Sequence, residues 1–104
     1  MNPEMQSQLI GQWIHSHEED ASGQMVFRHP EYGFPPSRGR SEYRLDPGGM
    51  LLSTRPGPTD RRESALGSWS LEEGATLLLQ PAGQSPRRFQ VVCVEPGKLV
   101  LTPR

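Results

Sequence analysis

Residues 63–80 read ESALGSWSLEEGATLLLQ. From Ala65 through Gly67 and Trp69 to Leu71, every second position belongs to one set, with Ser64, Leu66, Ser68 and Ser70 between them. That period of two is the pattern of a strand with one face turned to a core. Glu72-Glu73-Gly74 breaks the run, and a second compact apolar run follows from Thr76 to Gln80. Two extended segments separated by so few residues pair antiparallel with each other.

The same alternation of run and break extends in both directions. Candidate strands are 9–17, 24–28, 40–46 and 50–55 before this hairpin, and 87–95 and 98–102 after it, which makes eight. The breaks carry turn chemistry: Ala21-Ser22-Gly23, a long Pro-rich piece from His29 to Gly39, Asp46-Pro47-Gly48-Gly49, Pro56-Gly57-Pro58, Pro81-Ala82-Gly83 and Glu95-Pro96-Gly97. Neighbouring strands joined by short loops predict an all-β, antiparallel up-and-down meander. With eight strands the sheet can close into a barrel, which removes both edges. At 104 residues the chain has room for one core, so residues 1–104 are expected to form a single domain.

Eleven Gly and eleven Pro are too much punctuation for a helical bundle or coiled coil. Eleven basic residues against twelve acidic ones give a formal charge of -1, so no global field favours nucleic acid or an anionic membrane. No stretch approaches the roughly 20 apolar residues of a membrane-spanning helix, and residues 1–7 do not resemble a leader. A cytoplasmic protein is expected. Cys93 is the only cysteine, which excludes an intrachain disulfide and a thiol-rich metal site.

Period two assigns the faces. Leu9, Gly11, Trp13, His15 and His17 share one side of the first strand, and both Trp13 and Trp69 are expected to point inward. The rule adds Met25, Phe27, Tyr43, Leu45, Phe89, Val91, Cys93, Leu99 and Leu101 to the same interior. A strict meander also sorts the connections by end. It gathers Arg38, Arg40, Asp60, Arg61, Arg62, Arg87 and Arg88 where Trp13 enters, and His15, His17 and Glu18 to Asp20 at the opposite mouth.

Leu9-Ile10-Gly11-Gln12-Trp13 is similar to the Gly-x-Trp segment that opens the first strand of lipocalins and their calycin relatives. Thr59-Asp60 with Arg61 resembles the Thr-Asp loop of that fold, and Arg87 or Arg88 stands where an arginine would close over the tryptophan. Gly67 to Leu71, Leu77 to Leu79 and Leu99 to Leu101 resemble the repeated hairpins of small bacterial lipocalin-like domains. The resemblance implies a small hydrophobic or amphipathic ligand inside the barrel. The ligand-binding candidates are then Trp13, His15, Met25, Phe27, Tyr43, Trp69, Phe89 and Val91, with no cofactor.

Other residues carry weaker chemistry. His15 and His17 point to one side and, with His29 or Glu18, offer ligands for a divalent metal, although no spacing fixes a third ligand and no metal is assigned. Arg38, Arg40, Asp60 and Arg61 form either an anion pocket or, through Asp60, a knot between two loops. Pro30 to Arg40, PEYGFPPSRGR, is long enough to serve as a lid or an end plug. Two alternatives stand beside ligand binding. One is a protein-interaction module, such as a homodimer, using the outer leucines or the 30–40 loop. The other is a small isomerase- or cyclase-like enzyme using His15, His17 or Tyr43.

Overall fold

The computed structural model describes residues 3–36, 40–56 and 62–103. Its strands are β1 (Gly11–His15), β2 (Met25–Arg28), β3 (Glu42–Leu45), β4 (Met50–Pro56), β5 (Arg62–Glu72), β6 (Thr76–Pro81), β7 (Arg87–Glu95) and β8 (Lys98–Pro103). All eight expected strands form. They close antiparallel into a barrel in the order β1-β2-β8-β7-β6-β5-β4-β3. The all-β, eight-stranded antiparallel barrel is therefore the fold of this chain.

The up-and-down order runs unbroken from β3 to β8 and holds within the β1–β2 hairpin, but the join between them departs from it. β1 pairs with both β2 and β3, Trp13 lying opposite Tyr43, while β2 pairs with β8, Phe27 lying opposite Leu99. The barrel is thus a six-stranded meander whose two edges, β3 and β8, are bridged by one hairpin. β2 and β3 run the same way on either side of β1, with Arg28 and Glu42 both opposite Ile14, so the chain leaves β2 toward the base and enters β3 from the mouth. Thirteen residues reach about 43–47 Å when extended, ample for that path.

This crossing corrects the expected sorting of the ends. The base of the barrel collects the β3–β4 turn, the β5–β6 turn and the β7–β8 turn. The mouth collects His15, the start of β3, the end of β6 and the start of β7. Arg40 and Arg87 therefore belong to the His15 end, not to the end where Trp13 enters.

One short helix, α1 (Pro3–Leu9), precedes β1, where a strand was expected to begin at Leu9. Pro3 and Glu4 suit a first helical turn. Seven residues are too few for an isolated helix, and packing holds this one: Leu9 is fully buried in the core and Met5 packs against it. Trp13 Nε1 donates to Leu9 O at 2.8 Å, so the C-terminal carbonyl of the helix receives a partner it would otherwise lack.

Both indoles lie in one core cluster with Phe27, Leu45, Leu51, Leu77, Leu79, Phe89, Val91, Leu99 and Leu101. Trp69 Nε1 donates to Asp46 O at 2.9 Å, in the β3–β4 turn. Each tryptophan therefore buries its ring among aliphatics and ties its polar atom to backbone at the base. An eight-stranded barrel is about wide enough for its own side chains, and these fill the axis. At Gly67 a Cβ would collide with Gln80 O and stand 2.7 Å from Pro81 Cα, so only glycine lets β5 approach β6 there.

Cys93 is a second correction. The β7–β8 register slips between Val91 and Cys93, and the extra residue shifts the alternation by one. Val94 packs against the core instead, and Cys93 turns outward with Sγ 3.1 Å from Glu95 Oε1.

Candidate functional site

Approaching the mouth, inward positions change character on three strands. β3 passes from Leu45 to Tyr43, with Ser41 just beyond; β4 passes from Leu51 to Ser53 and Arg55; β7 passes from Val91 and Phe89 to Arg87. Where the apolar filling stops, a pocket of about 60 Å³ opens. Leu79, Pro81 and Tyr43 supply its apolar surface, Ser41, Ser53 and Thr54 one polar wall, and Arg55, Gln84 and Arg87 the rim. A single water needs roughly 10–15 Å³, so the space suits a group of a few heavy atoms. It falls well below the roughly 300–1,000 Å³ of pockets that enclose a drug-sized molecule.

The polar groups around this space are underused. Thr54 Oγ1 lies 3.2 Å from Ser64 Oγ. By contrast, the hydroxyls of Ser41, Tyr43 and Ser53 and the amide of Gln84 make no hydrogen bond with any described residue. The Arg87 guanidinium lies 5.3 Å over the Phe89 ring and is paired with no described carboxylate. Burial pushes the Tyr43 phenol up from its ordinary value, with the Arg87 charge pulling the other way. Its hydroxyl is therefore protonated at neutral pH and can donate.

Across the mouth from this pocket, His15 stacks 5.1 Å from Phe27, which lies 5.7 Å from Tyr43. His15 Nε2 is 2.8 Å from Asp20 Oδ2, and the other oxygen of Asp20 accepts from Val26 N at 2.9 Å. Asp20 thus ties the β1–β2 loop to both strands it joins.

The same loop fastens the crossing segment. A single turn of 3-10 helix, His17–Glu19, presents two carboxylates. Glu18 takes both Arg40 nitrogens, Nη1 at 2.7 Å and Nη2 at 2.6 Å, and Arg40 Nη2 also donates to Pro35 O at 2.7 Å. Glu19 takes Arg28 Nε at 2.9 Å and Nη2 at 2.7 Å, with Ser16 Oγ adding a third bond at 2.8 Å. Each arginine also covers a ring of the segment: Arg28 lies 4.6 Å from the Tyr32 centroid and Arg40 4.7 Å from that of Phe34. The Arg40 bond holds the Glu18 carboxyl down at about 2, and the Arg28 bond does the same for Glu19.

The sequence-predicted residues divide accordingly. Trp13, Phe27, Trp69, Phe89 and Val91 are core, and Met25 packs against it. Of that set only Tyr43 lines the pocket, and His15 lies outside its lining. Arg40 knits loops, as one reading had it, through Glu18 and Pro35 O; Arg38, Asp60 and Arg61 lie outside the described residues. Neither Arg87 nor Arg88 closes over Trp13: Arg88 pairs with Glu72 at 2.9 Å, and the ring meeting Trp13 is His29, 4.8 Å away edge-on. His17 sits in the 3-10 turn, its ring 6.1 Å from that of His15. Among the described residues no three His, Cys, Asp or Glu side chains are placed to hold a metal ion. Ser41, Ser53 and Gln84 were missed, although continuing the inward count past Leu45 and Leu51 would have reached the two serines.

Fold and mouth together define the class: a closed eight-stranded antiparallel barrel with a filled axis and a small polar pocket at one end. No family model, no curated protein and no solved structure matches the chain. No helix among the described residues is long and apolar enough to cross a membrane.

Proposed function

We propose that the protein is a small ligand-binding barrel of the lipocalin-like, calycin type found in bacteria, and that its ligand is a small amphipathic molecule seated at the mouth. The observation that carries this reading is the pocket beside Tyr43, where unpartnered hydroxyls and a free guanidinium surround an apolar patch. Trp13 at the base, on the strand opened by Gly11, supports the family. A lone free cysteine suits a reducing cytoplasm, which we take as the location.

The filled axis is the reason to place the ligand at the end and not along the interior. Enzyme action at this pocket is less well supported: neither His15 nor His17 is among its lining residues, and the raised Tyr43 phenol stays protonated and is a poor base at neutral pH. For a homodimer, the described outer face offers Met50, Leu52 and Leu66 as one cluster on β4 and β5, with Tyr32 and Val92 exposed elsewhere. Three aliphatic side chains supply a small part of the roughly 800 Å² per partner that a stable interface buries. The 30–40 loop is also poorly placed to dock a partner, because Arg28 and Arg40 already cover its rings.

Titration with a panel of small amphiphiles, followed by backbone amide NMR, tests the proposal. Saturable shifts at Ser41, Tyr43, Ser53 and Gln84 are expected, with the indole signals of Trp13 and Trp69 unmoved. Shifts confined to the outer face of β4 and β5, or none at all, would refute it.

A further inference from the structure

The charge left unmatched at the mouth is of one sign. The Ser41, Tyr43 and Ser53 hydroxyls and the Gln84 amide all carry donors, and Arg87 can do nothing but donate. The hydroxyls and the amide can accept as well, but among the described lining residues there is no carboxylate, so the formal charge there is all positive. Arg55 shares the rim and has an interaction of its own, whereas Arg87 is paired with no described carboxylate. A neutral ligand would give that charge no counter-ion.

We propose that the mouth recognises a carboxylate, the polar end of a short amphipathic molecule, with Arg87 as its counter-ion and Tyr43 and Ser53 donating to its oxygens. This inference rests on the ligand-binding reading above and gives it a substrate class. One unpaired guanidinium balances one negative charge, which favours a monoanion over a doubly charged phosphate. Its planar fork also matches a planar carboxylate. The volume of about 60 Å³ admits a carboxylate and its first carbons, and Leu79 and Pro81 offer those carbons an apolar surface. Arg87 reaches the pocket from the first residue of β7, and its stacking on Phe89 fixes it there without consuming its hydrogen bonds.

Butyrate, 1-butanol and butyl phosphate, titrated separately into wild type, Arg87→Gln and Tyr43→Phe and read by amide shifts at the mouth, test the assignment. Butyrate should bind wild type at least about tenfold more tightly than 1-butanol, as a charge-assisted bond predicts. Butyl phosphate should bind no more tightly than butyrate. Arg87→Gln should erase the preference for butyrate, and Tyr43→Phe should weaken butyrate several-fold while leaving 1-butanol unchanged. Arg87 is exposed, so its variant should keep the wild-type spectrum elsewhere, which separates lost recognition from lost folding. Equal binding of 1-butanol and butyrate would overturn the carboxylate while leaving ligand binding at the mouth intact. Tighter binding of butyl phosphate, or a preference surviving in Arg87→Gln, would also overturn it. No shift with any of the three would remove both this inference and the reading beneath it.

Discussion

Thr76 Oγ1 is a buried side-chain oxygen with no hydrogen-bond partner, alone in that respect among the described residues. Burying a hydroxyl unmatched costs about 1–3 kcal/mol, and its replacement by a methyl of similar shape avoids that cost. Thr76→Val should raise the free energy of unfolding by about 1 kcal/mol in urea titrations, whereas Thr76→Ala should lower it by leaving a void. A destabilised valine variant would mean that the hydroxyl is satisfied in solution. At this scale the sequence was most legible in its indoles. Period two placed Trp13 and Trp69 on one interior face because a strand side chain has only two directions to choose from. It failed at Cys93 because one bulged residue reverses every later assignment on that strand, and nothing in VVCV announces where the extra residue will sit.

Among the elements, the 3-10 turn and the crossing segment depend on each other. Glu18 and Glu19 are both held at about 2, well below the 4.5 of an unperturbed glutamate, by Arg40 and Arg28 respectively. A carboxyl with a lowered folded-state value stabilises the fold fully above its unfolded value and loses that contribution as pH falls toward the folded one. The urea midpoint should therefore drop between about pH 4.5 and pH 2. In a Glu18→Gln, Glu19→Gln double variant it should start lower at pH 7 and fall less across the same interval. An unchanged slope would show that other carboxylates govern acid unfolding. Strand positions were readable from runs and breaks, but these ion pairs were not. A loop of thirteen residues can join either neighbouring or opposite ends of a barrel, and the sequence does not say which. Since the strand order changes at that loop, so does the end at which every later connection emerges, and Arg40 and Arg87 were accordingly assigned to the wrong end.

For the whole molecule, the barrel consists of a continuous sheet from β3 to β8 and a hairpin, β1–β2, that spans the remaining gap. Only residues 29–41 connect the two covalently, while the hairpin holds the sheet through two full seams and through the Arg40–Glu18 fork. Neither part closes by itself, since the sheet would expose two unpaired edges and the hairpin would lack a core. Polypeptides 1–36 and 40–104, made separately, should each lack stable amide protection and regain the intact chain's spectrum on mixing, in a one-to-one stoichiometry. Folding of 40–104 without its counterpart would contradict this division. If the halves do reunite, the chain has a natural cut point for a complementation sensor, with two unfolded pieces whose reassembly brings Tyr43 back beside the Phe27 that the other piece contributes.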